Sequence, residues 1–397
     1  MLERIKVLSY PIRELVPLAK ELEKRGEDVI YLNIGDPLKY DFKTPKHVIE
    51  ALCKAAKKGF NYYSESEGLY ELREAIAKKE HEINRVNIEA TDVIVTQGVS
   101  EGINFLLAAL IEENDEVFLP SPLYPLYANY VRFYGGKPKF YKLIRRENKW
   151  STDISDIIDN LSKKTKAMVL VNPNNPTGAL IPEEELLKII EIASENNLIL
   201  ISDEIYDQIV FEGKFRSLAS LTKEIPVIGL NGFSKTFLVT GWRIGYIYFY
   251  DPEGVISDIK DSVLKMARNR LCTNTTVQKA MAYALKEGFS HLNDLLSKLK
   301  RRRELVIKIL DETELITLEK PEAAFYAFPK IEVRGKWVSD EDFAKKLLKE
   351  KKVLVVPGSG FYMYEDGFFR IVTLPPEEVL EEALYRIIKF VETFSKN

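Results

Sequence analysis

The chain has 397 residues, too many for one simple core, so two domains, or one large domain with a smaller one attached, are expected. Apolar residues make up 46% and charged residues 29%, an ordinary balance for a soluble globular protein. Fifty-seven Lys and Arg against 60 Asp and Glu leave a formal charge of −3, without the basic footprint of a nucleic-acid binder.

The start, from Met1 to Lys6, is charged too early for a secretory signal, and no apolar run approaches membrane-spanning length. A cytoplasmic location is therefore expected. Cys53 and Cys272 are too few for a disulfide framework and read as packing residues. The first forty residues precede any repeating pattern, and no internal repeat or Gly/Ser linker follows. From there, short runs rich in Val and Ile alternate with longer helical patterns. Strands are expected at 92–96, 116–119, 167–171, 198–202, 227–230 and 244–249. The runs 167–171 and 198–202 show little polar alternation, as strands covered on both faces do. Between them, 182–196 reads as a helix, with Pro182 near its start, an acidic first turn, and then Leu186, Leu187, Ile189, Ile190 and Ile192. Such strand–helix–strand units imply a mostly parallel α/β sheet. Beyond about residue 285 the pattern changes to a long charged helix over 290–310 and short strands near 325–328 and 353–356. These suggest a second, α+β domain. The run Lys300-Arg301-Arg302-Arg303 in that helix reads as a solvated face.

Ligands of open α/β sheets sit outside the carboxyl ends of the strands. Five of the six expected strands are followed by a polar, turn-forming segment. Gly98-Val99-Ser100 comes after the first, Pro120 to Tyr124 after the second, and Asn172 to Gly178 after the third. Asp203-Glu204-Ile205-Tyr206 and Gly232-Phe233-Ser234-Lys235 follow the next two. Their convergence on one sheet edge is the main argument for a site.

The motifs Asn-x-x-Asn-Pro-Thr-Gly at 172–178, Asp-x-x-Tyr at 203–206, Ser-Lys-x5-Gly-Trp-Arg at 234–243 and the late Phe369-Arg370-Ile371 stand in one order along the chain. In that order and spacing the sequence resembles the class I aminotransferases of pyridoxal-phosphate fold type I over nearly its whole length. The resemblance implies an α/β fold with a large domain, 41–285, whose mostly parallel seven-stranded sheet lies between helices. It implies a smaller α+β domain made of 1–40 and 286–397. It further implies pyridoxal 5'-phosphate as cofactor, no metal, a homodimer with shared active sites, and ping-pong transfer of an amino group between an L-amino acid and a 2-oxo acid.

Residue types agree with this chemistry. An amine must bind the cofactor's aldehyde and later carry a proton, and Lys235 fits both roles. A carboxylate must keep the pyridine nitrogen protonated, and Asp203 stands where the family has it. Tyr206 and Asn175 resemble the pair that hydrogen-bonds the cofactor's phenolic oxygen. The phosphate calls for helix N-terminal amides, from Val99 and Ser100, and for a cation, Arg243. Tyr124 resembles the aromatic residue that stacks on the ring, which in many members is Trp. Tyr63 resembles a tyrosine that reaches the phosphate of the neighbouring subunit. Three residues before the lysine the family often has Ser. Here it is Gly232, leaving Ser234 as the nearby hydroxyl on that turn. The substrate α-carboxylate needs a two-pronged arginine, for which Arg370 stands at the family's position. Gly35 resembles the loop residue whose amide meets the same carboxylate.

Tyr10-Pro11-Ile12-Arg13, the 32–37 and 63–69 segments and Arg270 to Asn274 are similar to the alanine transaminase branch. That implies alanine and 2-oxoglutarate as substrates, and a cation that meets the distal carboxylate yet withdraws for alanine. Arg13 is the candidate, with Lys39, Arg268 and Arg270 as competitors. Aspartate and aromatic amino acids remain alternative substrates, and a β-eliminating C–S lyase would keep Lys235, Asp203, Tyr206 and Arg370. A cofactor-binding transcription regulator would need a DNA-binding module, and none fits before Tyr10. A nucleotide-binding dehydrogenase is disfavoured, since Gly98 to Gly102 lacks the G-x-G-x-x-G spacing.

Overall fold

The structure, a computed structural model, describes residues 3–333 and 337–395. Residues 1, 2, 334–336, 396 and 397, which belong to the expected N-terminal and C-terminal segments, lie outside the described residues.

Among the described residues the central sheet has eight strands: β1 (Val93–Thr96), β2 (Glu116–Ser121), β3 (Lys137–Arg146), β4 (Lys149–Thr152), β5 (Thr165–Val171), β6 (Ile199–Asp203), β7 (Val227–Gly232) and β8 (Gly245–Tyr250). They lie in the order β1-β8-β7-β6-β5-β2-β3-β4. The five from β7 to β3 run parallel to one another, while β8 is antiparallel to both of its neighbours. The eighth strand, beyond the seven expected, is β4, which turns back on the end of β3. Successive side chains go to opposite faces. Val93, Val95, Met168, Leu170 and Leu200 enter one buried cluster. Ile94, Val117, Leu119, Val169 and Ile201 enter another across the sheet. Burying each such side chain stabilises the fold by about 1.5–3 kcal/mol before the entropy of ordering it.

A third cluster gathers the C-terminal part, from Val306 and Ile309 to Phe343, Phe369, Leu384 and Phe390, and takes in Leu32 from the N-terminal segment. That segment reaches it by pairing Ile30–Tyr31 in parallel with Val353–Leu354. A second, smaller sheet has β10 (Val356–Pro357) and β9 (Tyr326–Ala327) on either side of β11 (Phe369–Val372).

The basic run on the long helix α4 (Leu292–Leu310) is not a uniformly solvated face. Arg302 is 0% exposed: its Nη2 donates to both carboxylate oxygens of Asp41, at 2.8 and 2.7 Å, and its Nη1 donates to Leu374 O. Arg303, also buried, donates to Pro321 O and to Glu212 at 2.7 Å. A charge is tolerated there because each guanidinium meets a carboxylate and a backbone carbonyl. Cys53 likewise departs from expectation, being exposed rather than packed. No helix among the described residues is long and apolar enough to cross a membrane.

Candidate active site

The carboxyl ends of β1, β5, β6 and β7 open on a cavity of about 550 Å³. Twelve of the thirteen site residues expected from sequence line it: Arg13, Gly35, Val99, Ser100, Tyr124, Asn175, Asp203, Tyr206, Ser234, Lys235, Arg243 and Arg370. Tyr63 does not, and stands 80% exposed.

Asp203 is the last residue of β6 and is only 4% exposed. Tyr127, on α3 (Leu126–Phe133), donates its hydroxyl to Asp203 Oδ2 at 2.7 Å, and Ile205 N donates to Oδ1 at 3.3 Å. Burial pushes the carboxyl up to about 6, and these two donors offset only part of that rise.

Lys235 follows β7 on a turn braced from below. Asn231 Oδ1 accepts from Gly232 N at 2.7 Å, and Asn231 Nδ2 donates to Asp207 Oδ2 at 3.0 Å. Asp207 also accepts from Lys79 at 2.5 Å and from Asn84 at 2.9 Å, so a buried polar cluster ties the lysine turn to the loop after β6. Gly232 fits this crowded place. A Cβ there would lie 3.0 Å from Gly245 Cα and 3.2 Å from Ile244 O, so β8 leaves little room for a serine. The Lys235 amine donates to Gly35 O at 2.7 Å. Burial lowers its pKa to about 8; Asp36 opposes the fall, while Arg370 and Arg243 add to it.

At one end of the cavity, α2 (Val99–Leu110) begins after Gly98, whose φ of +75° suits glycine. A Cβ on Gly98 would stand 2.6 Å from Arg243 Nη2, so the missing side chain leaves the guanidinium beside the helix start. That end offers backbone donors and positive charge together, which suits an anion.

At the other end Arg370 is 1% exposed on β11. It donates to Asn175 Oδ1 at 2.9 Å and to Asn33 O, and lies 4.6 Å from the Tyr326 ring and 4.7 Å from that of Phe361. Its Nε has no partner among the described residues. The Asn175 loop is fixed by Asn174 Oδ1, which accepts from Thr177 N at 3.2 Å and Thr177 Oγ1 at 2.8 Å. Arg13 sits on the short helix α1 (Pro11–Glu14), exposed at the cavity rim. Of its competitors, Lys39, Arg268 and Arg270 do not line the cavity, and Arg270 is engaged with Glu101 at 3.3 Å.

Sequence reasoning missed Tyr127, Tyr326, Tyr10 and Asp36. Tyr326 meets Tyr206 hydroxyl to hydroxyl at 2.7 Å, and Tyr10 meets Tyr124 at 3.3 Å. Asp36 accepts from Thr240 at 2.9 Å beside the amine of Lys235. The one signal available was position: Tyr127 lies three residues beyond Tyr124, and Tyr10 and Asp36 lie within quoted motifs.

The family described as aminotransferase class I and II matches residues 27–387. The chain is 35% identical to the glutamate-pyruvate aminotransferase of Haemophilus influenzae, across 99% of this chain and 98% of that protein. It is 37% identical to aromatic-amino-acid aminotransferase 2 of Thermococcus litoralis, across 96% and 95%. The solved alanine aminotransferase of Pyrococcus furiosus superposes with a TM-score of 0.96 at 47% identity, covering 99% of this chain and all of that one.

Proposed function

The chain belongs to the class I and II aminotransferases and is a transaminase, and from that premise we propose that it exchanges an amino group between alanine and 2-oxoglutarate, giving pyruvate and glutamate. The observation that carries the reading is the buried Arg370 with its unpaired Nε, facing the same cavity as Lys235 while the exposed Arg13 stands at the rim. One fixed cation suits the α-carboxylate common to all amino acids. A second, on a four-residue helix, suits a distal carboxylate that only glutamate and 2-oxoglutarate carry. Of the named relatives, some are alanine or glutamate-pyruvate aminotransferases and one is an aromatic-amino-acid aminotransferase, so specificity rests on this argument from Arg13.

Members of this family depend on pyridoxal phosphate, and the residues present fit it. Gly98 leaves room beside Arg243, a buried carboxylate ends β6, and a lysine of lowered pKa lines the same cavity. We assign Lys235 as the residue that holds the cofactor and Asp203 as the partner of its ring nitrogen. Tyr206 and Asn175 would meet its phenolic oxygen, and Tyr124 its ring face. Val99, Ser100, Ser234 and Arg243 would hold its phosphate. When bound, the cofactor supplies an aldehyde carbon to take the amino group and a ring that draws electrons from the substrate's Cα.

The chain's own groups then have separable tasks. Arg370, oriented by Asn175, holds the α-carboxylate together with the Gly35 loop. Lys235 Nζ takes the proton from Cα and returns it after transfer. A pKa near 8 lets that amine be neutral in a useful fraction at working pH. Buried Tyr206 and Asp203 keep water from the reacting end. The exposed Tyr62, Tyr63 and Leu271 support a homodimer in which Tyr63 reaches the partner's phosphate site. A buried cluster drawn wholly from residues of 1–40 and 286–397 supports division into a large domain, 41–285, and a small one, 1–40 with 286–397. A cytoplasmic location accords with these readings.

The test is the half-reaction. Single amino acids are added to cofactor-loaded protein and the decay of the cofactor's absorbance is followed. Fast decay with alanine and with glutamate is expected. Decay with glutamate and aspartate, or glutamate and phenylalanine, but not alanine would move the substrate. No decay with any of them, with ammonia released instead, would favour elimination.

A further inference from the structure

Tyr206 and Tyr326 are each 3% exposed, and their hydroxyls share one 2.7 Å hydrogen bond. Only one of the two donates in it. If Tyr206 donates, its single proton is used up against Tyr326. If Tyr326 donates, the Tyr206 proton is left free for the cleft.

The surroundings decide the direction. Arg370 lies 4.6 Å from the centre of the Tyr326 ring. Burial raises the Tyr326 phenol, but Arg370 and the bond to Tyr206 pull it back, against a small rise from Tyr10. Tyr206 is raised well above the usual range, by burial first and then by Tyr326, with Asp203 adding and Arg370 opposing. A cation over its ring makes Tyr326 the better donor of the two, and the position of Arg370 therefore favours Tyr326 as the donor in this bond. The arrangement is also rigid. Tyr206 lies edge-on to Phe325, at 87°, and a Cβ on Gly35 would run into the Tyr326 hydroxyl.

We propose that Tyr326 is a positioning residue, which donates to the Tyr206 hydroxyl and thereby turns the Tyr206 proton into the cleft, toward the phenolic oxygen of the bound cofactor. This rests on the pyridoxal-phosphate reading of the cavity. A hydroxyl that accepts one hydrogen bond donates the next more strongly, so Tyr326 also strengthens the contact that Tyr206 makes. Tyr326 stands on β9, beside Arg370 on β11. The residue that orients Tyr206 is thus also the one that feels the charge at the α-carboxylate site.

The test compares Tyr326→Phe, Tyr206→Phe and the double variant, each loaded with pyridoxal phosphate. The readout is the pH midpoint of the bound cofactor's absorbance change, which reports how far its phenolic oxygen is stabilised as an anion. Tyr326→Phe keeps the ring beside Arg370 and removes one hydroxyl. It is expected to raise the midpoint by about half a unit to one unit, the effect of losing one hydrogen bond. Tyr206→Phe should raise it further, and adding Tyr326→Phe to that variant should change nothing more. An unchanged midpoint in Tyr326→Phe would overturn the proposal, and so would an equal rise in both backgrounds, which would mean an action independent of Tyr206. If the unmodified protein takes up no cofactor, the cofactor reading itself fails, and the proposal with it.

Discussion

Tyr127 donates its hydroxyl to Asp203 Oδ2 at 2.7 Å beneath the cleft, and even so burial leaves that carboxyl at about 6, above its ordinary 3.8. The folded chain therefore binds a proton that the unfolded chain has released. Stability falls as pH rises through the window from about 4 to about 6, and stays lower above it. Asp203→Asn removes this cost. The apoprotein variant is expected to be more stable by about 3 kcal/mol near pH 7 and unchanged near pH 4, read by thermal melting at both. The same change should lower the turnover of the loaded enzyme by several orders of magnitude, because the ring nitrogen would lose its proton. A parallel loss of stability and activity near pH 7 would contradict this account of Asp203.

The lowered pKa of Lys235 predicts an exceptional amine. In the apoprotein, an amine-directed reagent should label Lys235 with a midpoint near 8, about two units below the surface lysines. Peptide mapping across a pH series measures it. Labelling that follows the bulk lysines would show that burial does not govern this amine.

Arg370 and Arg13 should separate in steady-state kinetics. Arg370→Ala is expected to raise KM for every amino acid by about 10²-fold or more, since a buried charge-assisted contact is lost. Arg13→Ala should weaken glutamate and 2-oxoglutarate by about 10-fold and leave alanine unchanged. Equal damage to alanine would remove Arg13 from the role of distal clamp.

The buried arginine pair separates two readings of one basic run. Arg302→Ala leaves Asp41 with Lys298 alone and the Leu374 carbonyl without its guanidinium donor, and is expected to cost about 2–3 kcal/mol. Arg301→Ala, where the side chain is 59% exposed, should stay within about 0.5 kcal/mol. Melting temperatures of the two variants compare them directly.

That contrast marks how far the sequence could be read. Strands buried on both faces announced themselves as unbroken apolar runs, and β1, β5, β6 and β7 fall within two residues of where periodicity put them. β3 and β4, at one end of the sheet, did not, because Lys137–Arg146 alternates exposed charges with only a few buried residues. Arg302 and Arg303 escaped for a related reason: helix periodicity can suggest a face but not what meets it, and Asp41 and Glu212 are distant in the chain. The motifs brought together the residues that end strands. Tyr127 and Tyr326 act from a neighbouring helix and a short strand, through contacts that no local pattern encodes.

The central claim is that Lys235 holds pyridoxal phosphate in this cleft. Borohydride reduction of the loaded protein, followed by digestion and mass spectrometry, tests it most directly. A pyridoxyl-phosphate mass on the peptide containing Lys235, absent from Lys235→Ala, is the predicted result. The same mass on another lysine, or on none, would contradict the account.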